Sequence, residues 1–127
     1  MRRSVRTGLA AVAVSGVVLT GCGGGDSGGS TDNGAPADVV ARGDDALKFD
    51  QAQYTAAAGS VDIQLVDNGS QPHTLLIENV SGFKKLSVTK KGGTDRRTVT
   101  LEPGTYTIYC DVAAHRGAGM EAKLVIN

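Results

Sequence analysis

Residues 97–110 read RTVTLEPGTYTIYC, and the pattern of this stretch decides the fold class. Val99 and Leu101 fall on one face of an extended run, with threonines between and beside them. Glu102-Pro103-Gly104 is a turn signal, because proline presets φ while glycine tolerates backbone angles that other residues avoid. Beyond it Tyr106, Ile108 and Cys110 again take every second position, the period of a strand with one buried face. The segment predicts two strands joined as a hairpin.

The same period recurs on both sides. Val61, Ile63 and Leu65 alternate with Asp62 and Gln64, and Leu75 and Ile77 continue likewise after Pro72. In the last strand, Ala122 to Ile126, Leu124 and Ile126 share one side and Val125 takes the other. No window from 46 to 127 carries a helical stripe. Short strands separated by Gly-rich turns predict an all-β domain, a Greek-key β-sandwich over residues 46–127. A chain of 127 residues suffices for one such domain and is too short for two independent cores.

The N-terminal part is of another kind. Arg2, Arg3 and Arg6 precede an apolar stretch from Leu9 to Leu19 that is too short to span a bilayer, as in an export signal covering residues 1–21. Leu19-Thr20-Gly21-Cys22 resembles the lipobox of bacterial lipoproteins, which implies an acylated Cys22 and an extracytoplasmic, membrane-anchored protein. From Gly23 to about Asp45 the chain is rich in Gly, Ser, Asp and Ala and poor in large apolar side chains. Such a composition buries too little surface to offset its ordering entropy. Residues 22–45 are therefore expected to form a lipid-anchored flexible linker with a reach of roughly 25 Å.

Charge narrows the function. The chain has 13 basic and 13 acidic residues, and the arginines of the N-terminal segment leave the remainder mildly acidic. The aromatic residues are Phe49, Tyr54, Phe83, Tyr106 and Tyr109, and no basic stripe interleaves with them. A nucleic-acid surface is excluded on that ground.

Cys110 has no disulfide partner if Cys22 is acylated, and an unpaired cysteine in an exported protein calls for a reason. Taken alone, it is equally well a small buried hydrophobe. It does not stand alone. Residues 109–120 read YCDVAAHRGAGM, with His115 five residues after Cys110 and Met120 five further on. The chain's other histidine, His73, opens a strand just after a turn in NGSQPHTLLIE. Two imidazoles, one thiolate and one thioether are the donor set of a trigonal His-His-Cys copper site with a long axial Met bond. Sulfur donors favour Cu(I) and imidazoles suit Cu(II), so a mixed set holds both states.

These residues resemble the ligand loop of blue copper proteins in the cupredoxin family, of plastocyanin/azurin type. The ending HRGAGM is similar to that of plastocyanins, and the four residues between Cys110 and His115 match the longer spacing of azurin-like members. The resemblance implies one copper ion, Cu(I)/Cu(II), held by His73, Cys110, His115 and Met120. It also implies transfer of single electrons between redox partners near the membrane. Two positions differ from the usual pattern. Thr74 follows His73 where the family often has Asn, so its hydroxyl makes one bond between the ligand segments or none. Ala113-Ala114 stand where many relatives have Pro-Gly, which implies a less rigid loop.

Three further expectations follow. The chain has no histidine left for a second copper ion, and four ligands leave no open position for a substrate, so it is not expected to be an enzyme. The alternative is a copper carrier or buffer without an electron-transfer role. Ala113, Ala114, Gly117, Ala118 and Gly119 are expected to form a flat partner-docking patch around His115, with Arg116 adding positive charge at its rim for an acidic partner. The domain is expected to be a monomer.

Overall fold

The computed structural model describes residues 35–127. The expected signal segment, Cys22 and the first part of the expected linker lie outside the described residues. The elements run β1 (Val39–Gly43), β2 (Gln53–Ala56), β3 (Gly59–Asp67), β4 (His73–Ile77), β5 (Leu86–Val88), β6 (Thr94–Leu101), β7 (Gly104–Tyr109), a single helical turn α1 (His115–Ala118) and β8 (Glu121–Ile126). They form two sheets, one ordered β1-β3-β6 and the other β2-β8-β7-β4-β5.

The sandwich follows from the alternation. Val61, Ile63 and Leu65 on β3 face Leu75 and Ile77 on β4, Ile108 on β7 and Leu124 and Ile126 on β8, all of them buried in one core. Each large side chain so buried contributes about 1.5–3 kcal/mol. Residues between them point outward and are polar or half-exposed, so a shift of one residue in register would turn the core face to water.

Two expectations need correction. The linker was expected to reach residue 45, yet Val39–Gly43 is a strand, paired in parallel with β3 from Val39↔Ile63 to Gly43↔Asp67. Val39 and Ala41 are 2% and 0% exposed. Asp38 Oδ2 accepts from the Asp62 N–H at 2.8 Å, and the Ala35 carbonyl accepts from Arg96 at 2.8 Å. Only a short apolar run, Val39-Val40-Ala41, marks this strand within a polar, Gly-rich composition. What stabilises it lies twenty-four positions onward in β3, which a local reading does not see.

The second correction concerns the hairpin. β6 pairs with β3 along its whole length, whereas β7 lies between β4 and β8 in the other sheet. Glu102-Pro103 is therefore an arch between sheets. Tyr106 pins it, its hydroxyl donating to the Glu102 carbonyl at 2.9 Å. A turn signal reports that the chain reverses; it does not say which strand will take the hydrogen bonds.

This topology brings the ends of β1, β3 and β7 and the starts of β4 and β8 to one pole of the sandwich. Among the described residues no helix is long and apolar enough to cross a membrane.

Candidate metal centre

Four elements deliver the expected ligands to that pole. His73 is the first residue of β4, Cys110 follows the last residue of β7, His115 opens α1, and Met120 precedes β8. His73, Cys110 and Met120 are fully buried and His115 is 4% exposed, the most accessible of the four. The ligand atoms of His73, Cys110 and His115 lie within 4.8 Å of one another. Cys110 Sγ is 3.6 Å from His115 Nδ1, and the two imidazole centroids are 5.3 Å apart with their planes at 53°.

The loop between Cys110 and Met120 is closed by backbone. Cys110 N–H donates to the Met120 carbonyl at 3.1 Å, and Met120 N–H donates to the His115 carbonyl at 3.0 Å. Three ligands are thus tied to one another through the main chain. Ala114 sits at φ 66°, in the left-handed region, where a β-carbon is unfavourable and glycine is at ease. The small helical turn starts from this residue, so the Ala-Ala pair adopts the local geometry at a cost in strain.

Thr74 joins the two ligand segments. Its backbone N–H points at Cys110 Sγ at 3.3 Å. Its hydroxyl accepts from the Asp111 N–H at 2.9 Å and lies 2.7 Å from Asp111 Oδ1, to which it donates. Cys110 Sγ is also 3.4 Å from that hydroxyl, but a single proton serves one acceptor and the carboxylate is the shorter, charge-assisted bond. The Thr74 hydroxyl, with Lys85 at 3.0 Å, holds the Asp111 carboxyl below its usual pKa. Thr74 therefore makes the link that its position calls for.

Copper fits the residues present. Nδ1 and Nε2 of His73 are both buried without a protein partner, a costly state for an imidazole unless something binds it. Burial also pushes the His73 pKa down, which keeps the ring neutral and a lone pair available. Thiolate, thioether and two imidazoles together suit copper in both oxidation states.

Gly43 was missed as part of the site because it fell within the expected linker. A β-carbon there would lie 2.7 Å from Met120 Cε and 2.8 Å from Cδ2 and Cγ of His73. One methyl group would strike both the Met120 thioether and the His73 imidazole, so glycine at 43 makes room for them. The short apolar run Val39-Val40-Ala41 just before it was the available signal.

Arg116 also departs from expectation. It donates to Glu121 Oε2 at 2.8 Å and to Glu78 Oε1 at 2.9 Å, and its guanidinium stands 4.0 Å over the Tyr109 ring. Two carboxylates offset its charge, so the rim of the loop is not a positive feature. Ala113, Ala114, Gly117, Ala118 and Gly119 are all exposed beside His115.

Comparison with known proteins agrees with this arrangement. The family model of copper binding proteins, plastocyanin/azurin family, matches residues 36–127. Plastocyanin of Solanum tuberosum is 33% identical over 101 residues, covering 71% of this chain and 99% of that protein. Plastocyanin of Synechococcus sp. (strain JA-2-3B'a(2-13)) is 32% identical over 91 residues, 64% of this chain, and the match spans 65% of that relative's length. The crystal structure of dithionite-reduced auracyanin from the photosynthetic bacterium Roseiflexus castenholzii superposes with a TM-score of 0.60 at 19% identity, over 74% of this chain and 99% of that one, and shares its fold. The chain belongs to the plastocyanin/azurin family of copper-binding proteins, with His73, Cys110, His115 and Met120 as its candidate single copper site.

Proposed function

We propose that this chain carries single electrons between membrane-associated redox partners, outside the cytoplasm and as a monomer tethered through a lipid on Cys22. The observation that carries the reading is the closed, buried ligand set: two imidazoles, a thiol and a thioether converge at one pole with at most 4% exposure. Copper there supplies a one-electron change between Cu(II) and Cu(I). The protein's part is to keep the ligands in place in both states, through the Thr74–Asp111 link, the Cys110–Met120 backbone bond and the packed strands beneath. A substrate has no way to reach such a site, which supports a carrier over a catalyst.

The electron is proposed to leave through His115, the most exposed ligand, across the patch formed by Ala113, Ala114, Gly117, Ala118 and Gly119. Small side chains allow close approach, and a small interface allows fast release. Copper titration with spectroscopy tests the function. Electron transfer requires an intense visible band with Cu(II) and reversible reduction; tight Cu(I) binding with poor Cu(II) binding would indicate a copper carrier instead. Ala118→Glu should slow electron exchange while leaving the visible band unchanged, and undiminished exchange would place the exit on another face.

A further inference from the structure

Charge is spread unevenly around the sandwich. The segment from Lys84 to Arg97 holds six basic residues, Lys84, Lys85, Lys90, Lys91, Arg96 and Arg97, against one acid, Asp95. The other described residues carry four basic and ten acidic side chains. The fold keeps the basic segment together. β5 ends the five-stranded sheet and β6 ends the three-stranded one, and the Ser87 N–H donates to Asp95 Oδ2 at 3.0 Å, so the two strands form one side of the sandwich. The opposite side, made of β1, β2 and the loop between them, carries Asp38, Asp44, Asp45 and Asp50 against Arg42 and Lys48.

Lysines on edge strands guard against strand-on-strand aggregation. Lys84 and Lys85 precede β5, however, and Lys90 and Lys91 follow it, so protection of that strand does not account for them. Lys85 is paired with Asp111 at 3.0 Å, and Arg96 with Asp62. Lys84, Lys90, Lys91 and Arg97 are exposed, and among the described residues the three lysines have no ion-pair partner.

The course of the chain indicates what this side meets. Arg96 on β6 donates to the Ala35 carbonyl at 2.8 Å, so the chain enters the described domain beside the basic segment. Ala35 stands thirteen positions after Cys22, the residue proposed to carry a lipid, and a Gly-rich stretch of that length spans about 20 Å. An anchor there holds the basic side close to headgroups. A redox partner, by contrast, sits on the small residues around His115, where Glu78 and Glu121 offset Arg116.

We propose that the side formed by β5, β6 and the loop between them lies on anionic phospholipid headgroups, with Lys84, Lys90, Lys91 and Arg97 as its contacts. Each of these charges is attracted to an anionic surface and the acidic opposite side is repelled, so the domain is held in one orientation. The patch around His115 then stays open to partners in the same membrane. The inference rests on the lipid anchor proposed at Cys22, which supplies proximity, while the basic side supplies orientation.

Vesicle binding by the chain from Gly23 onward, which keeps both sheets whole and carries no lipid, tests the face apart from the anchor. Vesicles containing phosphatidylglycerol should bind it at low salt, and vesicles of phosphatidylcholine alone should not. Lys84→Gln, Lys90→Gln and Lys91→Gln together should lower the partition about a hundredfold, with urea unfolding unchanged. No binding to the anionic vesicles, equal binding to the neutral ones, or an unmoved partition in the triple variant would overturn the proposal. An unmoved partition with slower electron exchange toward an acidic redox protein would assign the lysines to a protein partner instead. Acylation of Cys22 is read separately, from the mass of the N-terminal peptide of the exported protein; an unmodified Cys22 would overturn the anchor, and the vesicle result would still decide the face.

Discussion

The ligand loop and the wall behind it build the same site by opposite means. The loop from Cys110 to Met120 supplies three ligands within eleven residues and surrounds them with exposed Ala and Gly. The wall consists of Gly43, the last residue of β1, paired with Asp67 at the end of β3, with His73 set against Gly43 at the head of β4. Every residue of that wall is buried, and none is near the loop in sequence. Short-range backbone bonds shape the loop, whereas strand register shapes the wall. A change in the loop should therefore alter the metal's chemistry or its access, and a change in the wall should disturb fold and metal together.

The sharpest break in that contrast is Cys110→Ser. Loss of the thiolate should abolish the intense visible band and greatly weaken copper binding, while urea unfolding of the copper-free protein should change little, since the substitution is nearly isosteric. A persisting band would move the copper elsewhere. Gly43→Ala is the matching test of the wall. A methyl that meets both Met120 and His73 should cost about 1–3 kcal/mol of stability and also perturb the spectrum. If stability fell with the spectrum unchanged, the wall would be a matter of packing alone.

Thr74 belongs to both regions and sharpens the comparison between them. Thr74→Val keeps the volume and removes the hydroxyl, leaving the Asp111 N–H and Oδ1 without that partner, and should cost about 1–3 kcal/mol by chemical denaturation. Thr74→Asn should recover most of that loss, since an amide can serve the same two groups. The smallest expected effect is at Ala114→Gly. Relief of the left-handed backbone should stabilise the protein by about 0.5–1 kcal/mol in the same measurement, with copper binding unaltered. Destabilisation would show that the alanine methyl is used in packing.

The loop was legible because its information is local: a thiol, an imidazole and a thioether at five-residue intervals after an alternating strand are visible in one short window. His73 was legible through scarcity, being the only other histidine in the chain. Arg116 shows where local reading stopped. Its charge was plain, but the carboxylates that offset it come from residues 78 and 121, just beyond β4 and on β8.

From residue order alone came the inward faces of β3, β4, β7 and β8, the sandwich class and all four ligands, because periodicity and spacing are properties of neighbouring residues. Tertiary structure alone decided that β1 belongs to the domain, that β6 and β7 lie in different sheets, and that Gly43 stands against His73 and Met120. Each of these rests on pairing between distant strands. A strand's own sequence specifies which side it buries, and only the completed sheet specifies what that side will touch.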